Sequence, residues 1–115
     1  MNISEADWKI YKRIRDQAQD RYSQRVLDDV ERLCRDGSMP VQDRHAELSR
    51  MVRERDKEMA RIFDTLRRSS APLCLMMMRR NELVTEEEMQ SFSPELRRAI
   101  ERVRPRHDVP LRSIL

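Results

Sequence analysis

Glycine is almost missing from this chain: Gly37 is the only one in 115 residues. β-Hairpins, phosphate-binding loops and dinucleotide-binding turns all draw on glycines at positive φ. One glycine therefore weighs against all-β, P-loop and Rossmann architectures. Cysteine is nearly as scarce. Cys34 and Cys74 are two thiols, too few for a disulfide framework and in keeping with a reducing compartment. Aromatic residues make up 4% of the chain and hydrophobic residues 38%. The latter is below the ~45–50% of an ordinary globular domain, so a thick core is excluded. The longest apolar run, residues 73–78, is far too short to span a bilayer. The first residues are charged from Glu5 onward without an apolar run, so no signal peptide is expected and a cytoplasmic location is.

What is present is charge. Charged residues account for 39% of the chain, yet the formal net charge is only +3. Opposite signs are interleaved and apolar residues recur at regular spacing, which favours amphipathic helices over disorder. The five prolines, Pro40, Pro72, Pro94, Pro105 and Pro110, fall between the periodic stretches and read as punctuation.

The first helix is expected over residues 5–36. Ser4 is a suitable N-cap, and Asp7 stands where a capping box places its acid. The stripe runs through Tyr11, Ile14, Ala18, Tyr22, Val26, Val30 and Leu33, with Trp8, Ile10, Leu27 and Cys34 widening it. Asp36-Gly37 is expected to end it, with Gly37 as a left-handed C-cap residue. A second helix is expected over residues 41–68, after a start at Ser38 and Pro40. Its stripe is Val41, His45, Leu48, Val52, Arg55, Met59, Ile62 and Leu66, close to a coiled-coil period.

So short a connection forces the two helices antiparallel. With the bend near Ser38, Val30 faces Leu48, Val26 faces Met51 and Val52, and Ala18 faces Met59. Ile14 then faces Ile62 and Phe63, Tyr11 faces Leu66, and the polar seam residue Arg55 lands opposite Tyr22. Apolar positions meet apolar positions along this register, although the two stripes were found independently.

Shorter helices are expected over residues 73–82, 86–92 and 94–104, followed by a loose tail over 105–115. Thr85-Glu86-Glu87-Glu88 has the form of a capping box with acids in the first turn. Ser93-Pro94 is a serine cap followed by proline at the first helical position. The fold class is thus all-α: one domain over residues 1–104, a long antiparallel two-helix hairpin with two or three shorter C-terminal helices. A hairpin this thinly apolar buries too little alone, so a helical bundle completed by homodimerisation is expected.

No catalytic constellation emerges. Cys34 and His45 approach each other at the bend, but a nucleophile also needs an orienting group and an oxyanion site. A small buried thiol and an end-of-core histidine explain them more simply. Cys34, His45 and Asp43 lack metal-ligand spacing, and no cofactor is implied. Glu54 and Glu58, one turn apart among Arg50, Arg53, Arg55, Lys57 and Arg61, read as a solvated helix face.

Two segments are candidates for binding. Leu75, Met76, Met77 and Met78 either close the core or form an adaptable partner surface. Arg97, Arg98, Arg102, Arg104 and Arg106, with Arg112, are the one local excess of positive charge and could contact phosphate. They lack aromatic neighbours for base stacking. The expectation is a non-enzymatic protein-interaction protein: a regulator, adaptor or chaperone-like factor of bacterial type. The alternatives are a nucleic-acid-associated regulator using the C-terminal arginines and an enzyme using Cys34 and His45.

Overall fold

A computed structural model describes residues 3–101. Among them are five α-helices and one short 3-10 turn, with no strand: α1 (Glu5–Arg35), α2 (Val41–Phe63), the 3-10 turn Arg68–Ser70, α3 (Ala71–Arg80), α4 (Glu86–Gln90) and α5 (Pro94–Ile100). The expected stretch 102–104 of the last helix and the tail 105–115 lie outside the described residues.

α1 and α2 form the antiparallel hairpin. The Tyr22 hydroxyl donates to the Arg55 carbonyl at 3.0 Å, and Arg44 donates to the Cys34 carbonyl at 2.7 Å. Tyr22 therefore faces Arg55 as expected, and the seam reaches the bend at Cys34 and Arg44. Around Arg55 the seam is polar and fully connected. Tyr22 also donates to Glu58 at 2.9 Å, and Arg55 pairs with Asp29 at 2.8 Å.

Several bounds depart from expectation: α1 ends at Arg35 rather than 36, α3 runs Ala71–Arg80 rather than 73–82, α4 ends at Gln90 rather than 92 and α5 at Ile100. Three departures have a visible tertiary or local reason. α2 stops at Phe63, not at residue 68. The Arg15 guanidinium on α1 donates to the Phe63 carbonyl, satisfying one of the carbonyls a helix end leaves open. Leu66 is consequently 51% exposed, and Tyr11 packs beside Cys74 of α3 instead. Gly37 does not take the left-handed region, since no glycine among the described residues has positive φ. Asp36 ends α1 by accepting the Ser38 N–H at 3.0 Å and its hydroxyl at 2.5 Å, an Asx turn. At Ser4 only half of the capping box forms: Ser4 Oγ accepts from the Asp7 N–H at 3.1 Å, while the Asp7 carboxylate points elsewhere.

That carboxylate is 3% exposed and accepts the Ser93 N–H at 2.9 Å and hydroxyl at 2.5 Å. It thereby pins the start of α5 to the start of α1. The other end of the C-terminal layer is held by Arg21, whose guanidinium forks onto Glu88 at 2.6 and 3.0 Å. Arg25 donates to the Asn81 carbonyl at 2.8 Å. The Thr85–Glu88 capping box is complete. α3 closes with a left-handed residue at Glu82, φ 58°. Leu83 N–H donates to the Met78 carbonyl and Glu82 N–H to the Arg79 carbonyl, the Schellman pattern, with Leu83 and Met78 both fully buried.

The main core cluster lies at the open end of the hairpin. Tyr11, Ile14, Ala18 and Tyr22 of α1 and Ile62 and Phe63 of α2 meet Ala71, Cys74, Leu75 and Met78 of α3, then Leu83, Met89, Phe92, Leu96 and Ile100. Here α3–α5 complete a bundle around the hairpin. Beyond Tyr22 the hairpin continues towards its bend as a two-helix arm, and the molecule measures 52 × 26 × 18 Å.

Candidate interaction surfaces

Along the arm only Leu33 is buried. Val26, Val30, Leu48 and Met51 are half-buried in the seam. Leu27, Val41 and Val52 are 62%, 71% and 37% exposed. Helix geometry assigns Leu27 a direction. Arg25 reaches the Asn81 and Glu82 carbonyls of the C-terminal layer, and two residues further on is a rotation of about 200°. Leu27 thus faces away from α3–α5, with Cys34 two turns along on the same line and Val30 beside it. Val41, Leu48 and Val52 follow one another along α2 at steps of seven and four, the edge of the same seam. Leu27 on α1 and Val41 and Val52 on α2 are thus apolar side chains of the arm that no described residue covers.

The charges around these side chains are balanced. Residues 24–56 carry seven arginines and eight carboxylates, and many pair within the arm: Arg32 with Asp29, Arg35 with Glu31, and Arg50 with Glu47 and Glu54.

The methionine segment divides between two environments. Leu75 and Met78 are fully buried, with Cys74 and Ala71 beside them. Met76 and Met77 are half-buried and pack against the same cluster. Their neighbour Leu73, one turn earlier, is 61% exposed. Leu75, Met76, Met77 and Met78 therefore do not form one surface; α3 has a core face (Ala71, Cys74, Leu75, Met78) and an outer face (Leu73, Met76, Met77, Arg80).

Of the C-terminal arginines, Arg97 donates to Gln90 and Arg98 to the Pro94 carbonyl at 3.3 Å. Arg102, Arg104 and Arg106 lie outside the described residues. Contrary to the expected buried thiol and end-of-core histidine, Cys34 and His45 are both exposed, because the main core cluster does not extend to the bend. Among the described residues no cluster of three metal-ligating side chains occurs, and no helix is long and apolar enough to cross a membrane. A shallow recess of about 270 Å³ on α2 is lined by Glu54, Arg55, Lys57, Glu58 and Arg61. Charged residues alone form it, without the apolar walls that small-molecule sites use.

Reading the residues in order missed Val41, Val52 and Leu73 as exposed, because exposure depends on where the C-terminal layer sits. A compositional signal for the α3 surface was available: residues 65–81 contain four arginines and not one acid. Comparison of the chain with protein-family models, curated proteins and solved structures yields no match.

Proposed function

We propose that the chain is a non-enzymatic interaction protein that self-associates through its hairpin arm. The observation that carries this reading is the set of apolar side chains on the arm that no described residue covers, Leu27, Val41 and Val52, with the half-buried Val30 and Leu48 between the helices. At the open end, α3–α5 supply the extra helices that a two-helix hairpin needs. At the bend end, a second arm supplies them, converting two thin hairpins into a four-helix arrangement. A second copy suits the arm electrostatically, because an arm with seven positive and eight negative charges meets its twin without a like-charge barrier. A two-fold contact of the same face on both copies is the common solution.

The size of the arm sets the strength. Its free length is about 20 Å at 1.5 Å per residue and its width about two helix diameters. The face covers roughly 400 Å² per copy, half that of a standard interface. A dimer on so small a face is weak. Sedimentation equilibrium from about 5 to 500 µM protein tests this. The expected result is a monomer–dimer equilibrium that Leu27→Asp abolishes with helicity intact. Wild-type protein that stays monomeric over that range would refute the proposal.

A further inference from the structure

We propose that the outer face of α3, Leu73, Met76 and Met77 bracketed by Arg67 and Arg80, docks an acidic amphipathic helix of a partner protein. This face is distinct from the arm. Leu73, Met76, Met77 and Arg80 recur at i, i+3, i+4 and i+7 and so share one side of the helix. The opposite side, Ala71, Cys74, Leu75 and Met78, is wholly buried. Nothing forces Leu73 to be apolar: at 61% exposure it contributes little to the core.

Along the chain, the charge of the segment that carries this face is one-sided, unlike the interleaved pattern elsewhere. From Thr65 to Asn81 the chain has Arg67, Arg68, Arg79 and Arg80 and no acid. Arg68 is paired with Glu5 at 2.8 Å and Arg79 reaches Glu86 at 3.5 Å. Arg67 and Arg80 are exposed and carry no ion pair to a described residue. An apolar strip flanked along the chain by two exposed arginines, neither ion-paired to a described residue, matches a helix with leucines on one side and glutamates flanking them. Methionine, unbranched and polarisable, adapts to such a helix.

The shape of the face favours a helix over the two other anionic candidates. Met76 and Met77 are half-sunk, which leaves Leu73 as the one protruding apolar side chain. A lipid surface would gain a single inserted residue, whereas a helix laid across α3 covers all three. A nucleic acid would use the arginines and leave the apolar strip exposed.

The full chain would be titrated, by fluorescence anisotropy, into a fluorescein-labelled synthetic amphipathic helix with leucines on one face and glutamates on its flanks. The isomer with lysines on the flanks, phosphatidylglycerol vesicles and a single-stranded oligonucleotide serve as comparison probes. The expected result is saturable binding of the glutamate peptide only, weakened about tenfold in Leu73→Asp and in Arg67→Glu/Arg80→Glu, weakened by salt, and unchanged in Leu27→Asp. These side chains are exposed, so circular dichroism of the variants should match wild type. Failure to bind the glutamate peptide would overturn the proposal. So would equal binding of the lysine peptide, or binding only to vesicles or oligonucleotide. Loss of peptide binding in Leu27→Asp would move the site to the arm. Because arm self-association is read by sedimentation and this site by peptide binding, either can fail alone.

Discussion

Individual residues determine how this chain ends its helices and closes its core. Tyr11 and Tyr22 are its only tyrosines, and both are 1% exposed. Burial is the main reason both hydroxyls are pushed well above the usual tyrosine range; the neighbouring Cys74 adds to it at Tyr11, and the hydrogen bond to Glu58 adds to it at Tyr22. A raised folded-state pKa gives stability that is complete below the unfolded value of about 10 and is lost as pH climbs above it. The expected outcome is that absorbance at 295 nm shows no tyrosinate until the chain unfolds, at alkaline pH, in the same transition seen by circular dichroism. A phenolate signal from folded protein near pH 10 would contradict the burial of both rings.

Gly37 offers a second test at this scale. Its φ is not left-handed, and a Cβ placed there meets nothing within 4 Å. Gly37→Ala should therefore stabilise by about 0.5–1 kcal/mol through the unfolded chain. Had Gly37 been the left-handed cap that its position after Asp36 suggests, the same substitution would destabilise. Glu82 is where the left-handed cost falls.

Between elements, the C-terminal layer is attached to the hairpin by polar clamps at separated points. Asp7→Ala removes both bonds to Ser93 and strands the Ser93 N–H. A buried charged acceptor of this kind is worth about 2–3 kcal/mol, to be read from the midpoint shift in urea denaturation; a shift under about 0.5 kcal/mol would deny the clamp. Glu88 serves its own helix as a capping box and α1 through Arg21. Burial alone would raise its pKa, but hydrogen bonds from Arg21 and the Thr85 N–H outweigh it and hold the carboxyl below its ordinary value. A depressed carboxyl gives stability that is present above the unfolded pKa and lost as pH falls through the folded one. Wild type should thus lose more stability than Glu88→Gln on acidification below about pH 4.5.

These clamps also show what sequence order could reveal. Ser4, the Thr85–Glu88 box and Ser93-Pro94 were legible as helix starts because a cap is made within four residues. The hairpin register was legible because both stripes are periodic, and Tyr22 does face Arg55. The end of α2 was not legible, since the group that caps Phe63 is Arg15, 48 positions away. The true partner of Asp7 lies 86 positions away, and a local capping box was the nearest pattern available. For the candidate surfaces the same division holds. The apolar run at residues 73–78 stood out, but which of its residues face outward depends on the contacts of α3 with α1, α2 and α5.

For the whole molecule, the decisive property is the uneven distribution of its core. Every large, fully buried side chain, from Tyr11 to Ile100, belongs to the open end of the hairpin. The Tyr22–Arg55–Asp29–Glu58 network separates this end from the arm. The arm is held by a narrow seam, helix propensity and ion pairs between exposed residues, which are worth little each. Its backbone should open locally at a free energy well below that of global unfolding. Hydrogen exchange measures this directly. Amides of residues 26–34 and 44–54 should exchange at least about tenfold faster than those of residues 12–20, 60–63 and 74–78 at low protein concentration. Raising the concentration into the range where arms pair should slow the first group and leave the second unchanged, because binding to the native arm stabilises only what it covers. The Leu27→Asp variant should lose that concentration dependence. Uniform protection along α1 would mean that the arm is as stable as the core, and the physical case for a second copy completing it would fall.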